Sequence, residues 1–178
     1  RKIGVTGFDY IIIGSGTAGA TLAARLSEDE AARVLVLEAG GADNGFWIKW
    51  PVGYYKSIYD NRVSHLYRGE KDPGIAGRQM DCPRGRVVGG SSSINGLIYI
   101  RGQHSDFDDW ATLGADGWSF NDVLPHFRAF ETYAGPPSQF RGGHGPLQIS
   151  ELRNDNPACN DWLEAAMAHG LPRNDDFN

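Results

Sequence analysis

The chain is poor in residues that would support several kinds of chemistry. Its 178 residues include two cysteines, Cys82 and Cys159, far apart and outside any Cys-x-x-Cys pair. Neither a disulfide framework nor a cysteine-based metal site is indicated, and both read as ordinary buried or half-buried thiols. Five histidines, His65, His104, His126, His144 and His169, show no His-x-x-x-His spacing. Each reads as a surface or satisfied core histidine, and none is assigned to metal or to proton transfer. No apolar run approaches the roughly 20 residues that a membrane helix needs. The net charge is −5 and the 17 basic residues are scattered, so there is no positive stripe of the kind that phosphate-backbone binding requires, and nucleic acid is not an expected partner. The first seven residues lack both an initiating Met and an apolar signal core. They read as a processed end, and with so few cysteines a cytoplasmic setting is favoured.

What is present is enough chain for one domain and part of a second, organised around Phe8 to Glu38. The apolar, β-branched run Tyr10-Ile11-Ile12-Ile13 leads directly into Gly14-Ser15-Gly16-Thr17-Ala18-Gly19, which opens Ala20-Thr21-Leu22-Ala23-Ala24-Arg25-Leu26. That order predicts strand, tight turn and helix. Gly14 allows the turn, Gly16 lets a pyrophosphate approach bare backbone, and Gly19 lets helix and strand pack closely. The helix N-terminus then presents N–H groups to the phosphates. A second apolar run, Val34 to Leu37, ends in Glu38, whose carboxylate can accept hydrogen bonds from a ribose. A glycine-rich turn alone is weak evidence. Flanked by strand, helix and acid at these distances it predicts a dinucleotide site in an α/β fold, with NAD and FAD both open at this point.

After the turn-rich Ala39 to Gly45, residues 46 to 80 mix aromatics with Pro51, Pro73 and glycines and show no sustained period. This predicts either a functional cover or aromatics that simply pack the excursion onto the sheet. Residues 83 to 102 read Pro-Arg-Gly-Arg-Val-Val-Gly-Gly-Ser-Ser-Ser-Ile-Asn-Gly-Leu-Ile-Tyr-Ile-Arg-Gly. Gly89-Gly90 before three serines suggests a backbone nest for an anion. Asn95 adds an amide able to donate and accept at a heteroaromatic edge. The predicted arrangement is a cofactor-facing loop that ends in a buried segment, Leu97 to Ile100.

The pairing of Gly14-x-Gly16-x-x-Gly19…Glu38 with the block from Gly85 through Gly89-Gly90-Ser91-Ser92, Ile94-Asn95, Tyr99 and Gly102 to Asp108 resembles the glucose–methanol–choline (GMC) oxidoreductases, in particular their choline and alcohol dehydrogenase branch. The resemblance runs from Phe8 to about Asn178 and favours FAD over NAD. It implies a Rossmann-like FAD-binding domain at residues 8–132, incomplete in this chain, then a crossing segment and the start of a substrate-binding domain at 133–178. The cofactor residues it implies are Gly14, Gly16, Thr17, Ala18, Gly19, Glu38, Ala39, Arg84, Val87, Gly90, Ser91, Asn95, Gly96, Leu97 and Ile98. Covalent members carry a histidine where this chain has Ile94, so FAD is expected to be bound non-covalently.

The resemblance also implies oxidation of a small alcohol by hydride transfer to flavin N5. The proton-accepting histidine and its His or Asn companion are expected further along a longer enzyme, the remainder of which is the expected partner, and no catalytic residue is assigned within this chain. Hydroxynitrile lyases, fatty-acid photodecarboxylases and a catalytically inactive FAD scaffold are alternatives on the same fold. Beyond the second block, Ser105 with Asp108 predicts a capped helix stopped by Gly114, and Ser119 with Asp122 predicts another that kinks or breaks at Pro125. Tyr133 to Gly145 is Gly/Pro-rich, Leu147 to Ile149 reads as a strand, and Asn156-Pro157 starts a last helix that Gly170 stops.

Overall fold

The structure, a computed structural model, describes residues 7–152 and 156–178; of the end read above as processed, residues 1–6 lie outside the described part. The chain divides into two compact units, one up to Ile98 and one from Tyr99 onward.

In the first unit, β1 (Tyr10–Ile13), α1 (Thr17–Leu26) and β2 (Val34–Leu37) form the expected βαβ. The strands run parallel, with Tyr10 opposite Val34 and Ile13 opposite Leu37, and the Gly14 N–H extends the ladder by donating to the Leu37 carbonyl at 2.7 Å. Gly14 turns the chain with φ of 90°. A Cβ at Gly19 would lie 2.0 Å from the Gly14 carbonyl oxygen, so the helix can begin this close to the strand only because residue 19 has no side chain. Among the described residues this sheet has two strands. Two strands cannot bury both faces of a parallel sheet, and Ile13 is accordingly 79% exposed while Ile12 is buried.

The excursion that follows is more regular than its sequence suggests. Phe46 packs against Trp47 and Trp50 in and beside the single-turn helix α2 (Phe46–Lys49). A 3-10 turn at Pro51–Gly53 leads into α3 (Tyr54–Ser57). β3 (Ser64–Arg68) then pairs antiparallel with β4 (Asp81–Gly85), placing His65 opposite Arg84 and Tyr67 opposite Cys82. Beyond β4, Val87 and Ile94 are buried and Gly90–Ser93 forms a 3-10 turn. The expected buried segment after it is not buried. Leu97, Ile98 and Ile100 are 62%, 82% and 63% exposed, because residues 97–100 join no strand or helix against which they could pack.

The second unit contains α4 (His104–Thr112), α5 (Phe120–Phe130), β5 (Glu131–Tyr133), β6 (Leu147–Ile149) and α6 (Pro157–Ala168). Phe107 and Phe120 form its apolar centre, with Phe127 and Trp110 edge-on to Phe107. α4 starts two residues earlier than its serine suggests. Gln103 is the N-cap, with its N–H donating to Asp106 at 2.7 Å, whereas Asp108 accepts from the Phe120 N–H at the start of α5. Ser119 and Asp122 cap α5 reciprocally, and the helix continues unbroken past Pro125. Asn156 accepts from Ala158 N at the start of α6. Gly170, at φ of 88°, closes it with paired bonds from Gly170 N to Met167 O and from Leu171 N to Ala166 O, the left-handed stop that glycine allows.

β5 and β6 pair in parallel around Glu131, which is fully buried. Its carboxylate accepts from Gly142 N at 2.9 Å and from Arg141 Nη1 at 3.3 Å. Arg101 Nη2 lies 2.9 Å from it but points off the hydrogen-bond direction, so that contact is coulombic. Arg141 also binds Asp176 through Nε and Nη2 at 2.8 and 2.7 Å and lies over the Tyr133 ring. Asn178 completes the cluster by accepting from Arg101 N at 2.7 Å.

Candidate functional site

The carboxyl ends of β1 and β2 and the first turn of α1 open onto a cavity of about 620 Å³ in the first unit. Its lining includes Gly14, Gly16, Thr17, Ala18, Gly19, Glu38, Ala39, Arg84, Gly90 and Ser91, ten of the residues the sequence singled out. Val87 sits fully buried behind it, and Asn95, Gly96, Leu97 and Ile98 are not among the lining residues. Asn95 instead accepts from the Leu97 N–H at 3.0 Å, folding its own loop.

Backbone contacts bring the two sequence blocks together. Gly89 N donates to Ser15 O at 3.0 Å and Val88 N to Gly41 O at 2.9 Å. A Cβ on Gly90 would lie 2.8 Å from the Gly16 Cα, so the two glycines meet without side chains between them. Gly85 is equally close to Gly90, where an added Cβ would lie 2.2 Å from the Gly90 carbonyl carbon.

The serine hydroxyls of the expected anion nest are engaged within the loop itself. Ser92 and Ser93 hydroxyls donate to Gly89 O and Val88 O at 2.6 and 2.8 Å, and Gly85 N donates to the Ser91 hydroxyl. The hydroxyls fasten the loop down. Further donors face the cavity at α1. Its N-cap, Gly16, has no side chain to satisfy the N–H groups of the first turn, which an α-helix leaves without intrahelical partners.

Glu38 faces the same space. Its Oε2 accepts from Ser15 N and Oγ at 2.8 and 2.9 Å, and Oε1 accepts from Gly40 N at 2.8 Å. The backbone bonds from Ser15 and Gly40 hold the carboxyl below its ordinary range, outweighing the opposing effect of burial. A carboxylate has about four lone-pair sites, so an ionised Glu38 retains acceptor capacity for a hydroxyl. Bare backbone, helix N–H groups, Arg84 and one fixed carboxylate together suit a ligand that has both a pyrophosphate and a ribose.

Four lining residues escaped the sequence reading, Ile13, Leu37, His65 and Tyr67, while Gly85 and Arg86 belong to the second block without being among the implied cofactor residues. Ile13 and Leu37 could have been named as the last residues of their strands. His65 and Tyr67 depend on the β3–β4 hairpin, whose residues show no alternating period. Among the described residues no cluster of His, Cys, Asp and Glu could hold a metal ion, and no helix is long and apolar enough to cross a membrane.

A family model described as GMC oxidoreductase matches residues 8–178. The chain belongs to the GMC oxidoreductase family. It is 45% identical over 170 residues to an oxygen-dependent choline dehydrogenase from Sinorhizobium fredii and 43% identical over 175 residues to one from Pseudomonas fluorescens; each alignment covers 96% of this chain and 31% of the relative. The chain therefore spans about a third of the length of the curated relatives it matches. Among solved structures it is similar to pyridoxine 4-oxidase from Mesorbium loti, with a TM-score of 0.87, 36% identity and coverage of 94% of this chain and 33% of the other. It is also similar to an FAD-dependent oxidoreductase from Chaetomium thermophilum, with a TM-score of 0.78, 33% identity and coverage of 96% and 31%. The GMC N-terminal domain binds FAD.

Proposed function

We propose that this chain is the FAD-holding N-terminal part of a GMC enzyme that oxidises the CH–OH group of a small alcohol, of the chemical kind named by its choline dehydrogenase relatives. The observation that supports this most is the backbone meeting of Gly16 with Gly90 beside the α1 N-terminus and Glu38. It unites in one cavity the two blocks that the family resemblance requires. In this reading residues 8–132 carry the cofactor, residues 133–178 begin the substrate domain, and the remainder of the enzyme is the partner.

FAD, when bound, supplies a flavin ring able to accept a hydride. This chain's residues bind and orient it. Gly14, Gly16 and the N–H groups of Thr17, Ala18 and Gly19 meet the pyrophosphate together with Arg84, Gly90 and Ser91. Glu38 and Ala39 meet the adenosine ribose. Val87, fully buried, would support the loop, and Asn95 through Ile98 would serve the flavin half. The base that takes the hydroxyl proton is assigned outside this chain.

The test uses the full-length enzyme with FAD bound. Anaerobic mixing with a small primary alcohol such as choline, benzyl alcohol or pyridoxine should bleach the flavin absorbance and yield the aldehyde. Flavin that stays oxidised with every alcohol tried would refute the oxidoreductase reading.

A further inference from the structure

We propose that His65 is a second anion contact for the pyrophosphate of FAD, working beside Arg84, and that Tyr67 is its positioning residue. This rests on the FAD reading of the cavity and adds to it a wall that neither sequence block contains.

Residues two apart on a strand share a face, and β3 places the His65 and Tyr67 rings 4.2 Å apart. Both line the cavity. Arg84 is directly opposite His65 in the antiparallel register, and directly paired residues lie side by side on one face of a hairpin. His65, Tyr67 and Arg84 are thus neighbours on one surface.

That surface is fastened to the glycine turn. Gly85, at the end of β4, presses on Gly90, and Gly90 presses on Gly16 at the N-cap of α1. The cavity therefore has the helix N–H groups on one side and the hairpin side chains on another. Among the described residues no ion pair involves His65 or Arg84. The Arg84 guanidinium donates to its neighbour, the Pro83 carbonyl, at 2.9 Å.

A cation and an imidazole donor without an acidic partner, lining a cavity that also receives a helix N-terminus, are complementary to a doubly charged diphosphate. Glu38 is the acidic group of the lining, and it is already held by Ser15 and Gly40. The Tyr67 ring against His65 restricts the imidazole's rotation, so less freedom is lost when the bond forms.

The experiment measures FAD and ADP dissociation constants for the full-length apoprotein. His65→Leu, which keeps apolar bulk but removes the donor, should weaken both ligands roughly tenfold, the lower range for a hydrogen bond to a charged group. His65→Gln restores a donor and should recover most of the loss. Tyr67→Phe should bind like wild type and Tyr67→Ala should bind several-fold more weakly. Unchanged FAD affinity in His65→Leu overturns the proposal, as does a His65→Gln variant as weak as the leucine one. A loss for FAD with none for ADP would assign His65 to the flavin half and overturn it equally. Wild-type apoprotein that binds no FAD would instead refute the reading on which the proposal rests.

Discussion

Glu131 offers a stringent test of how the second unit is held together. Its side chain is fully buried between two guanidinium groups, those of Arg101 and Arg141, whose side chains are 2% and 6% exposed. Glu131→Gln preserves shape and one acceptor, so the Gly142 N–H keeps a partner, but it removes the only buried negative charge in contact with Arg101 among the described residues. Breaking a buried pair by removing one partner costs about 3–5 kcal/mol, mostly through the charge left behind. Arg141 retains Asp176 as a counterion, which moderates its share. Arg101 retains Phe140 O and the face of Phe127, neither of which carries a formal charge. The expected loss is therefore about 3 kcal/mol, near the low end of that range. Urea titration of the full-length enzyme, followed by hydrogen exchange on peptides covering residues 99–142, would read it locally. A change below about 0.5 kcal/mol, the size of an ordinary surface substitution, would refute the idea that Glu131 neutralises buried charge. Replacing Arg101, Glu131 and Arg141 together by apolar residues of similar volume should cost less than the single change, because no charge is then stranded.

Other predictions concern the cofactor and pH. Gly16→Ala has room within the protein, since its Cβ would meet nothing closer than the Gly90 Cα at 3.9 Å; Gly16→Val should nevertheless yield full-length enzyme that purifies colourless, and a fully yellow valine variant would move the pyrophosphate elsewhere. Glu38→Gln should lower FAD affinity by roughly 1.5–3 kcal/mol, and apoprotein titration showing wild-type affinity would remove Glu38 from the ribose. Ile94 is apolar and 3% exposed, so acid precipitation should leave the flavin in the supernatant; colour retained on the washed pellet would overturn non-covalent binding. Burial alone would raise the Asp176 carboxyl, but the hydrogen bonds from Arg141 and the Asn178 N–H outweigh it and hold the group below its ordinary range. Its contribution is thus present above the ordinary carboxylate range and is lost as pH falls through the depressed folded value. Asp176→Asn should flatten the acid limb of a stability–pH profile below about pH 4, and an unchanged limb would exclude Asp176 as its source.

The parts of the fold legible in the sequence are those set by neighbouring residues. The Tyr10–Ile13 and Val34–Leu37 runs, the glycines between them and the caps at Ser119 and Asn156 each carry their own local signal. The β3–β4 hairpin does not, because its strands are identified by each other across a long loop and one contains Pro83. For that reason His65 and Tyr67 could not be placed at the cavity beforehand. The start of α4 shows a tertiary contact overriding local pattern. Ser105 with Asp108 has the capping spacing, but Asp108 is engaged by the Phe120 N–H, and Asp106 serves Gln103 instead. The serine loop shows the same limit. Its composition suits an anion, whereas the direction of its hydroxyls is decided by the carbonyls of Val88 and Gly89.

The contact between Gly16 and Gly90 also has a consequence for biosynthesis. A chain emerging from the ribosome completes β1, α1 and β2 early, so Glu38 and the helix N-terminus exist before the opposing wall has been translated. Contacts distant in sequence form only after the intervening chain has paid its loop-closure entropy. A nascent chain stalled before Gly85 therefore lacks the wall that meets Gly16, and on the proposed FAD reading it would offer only part of the cofactor site.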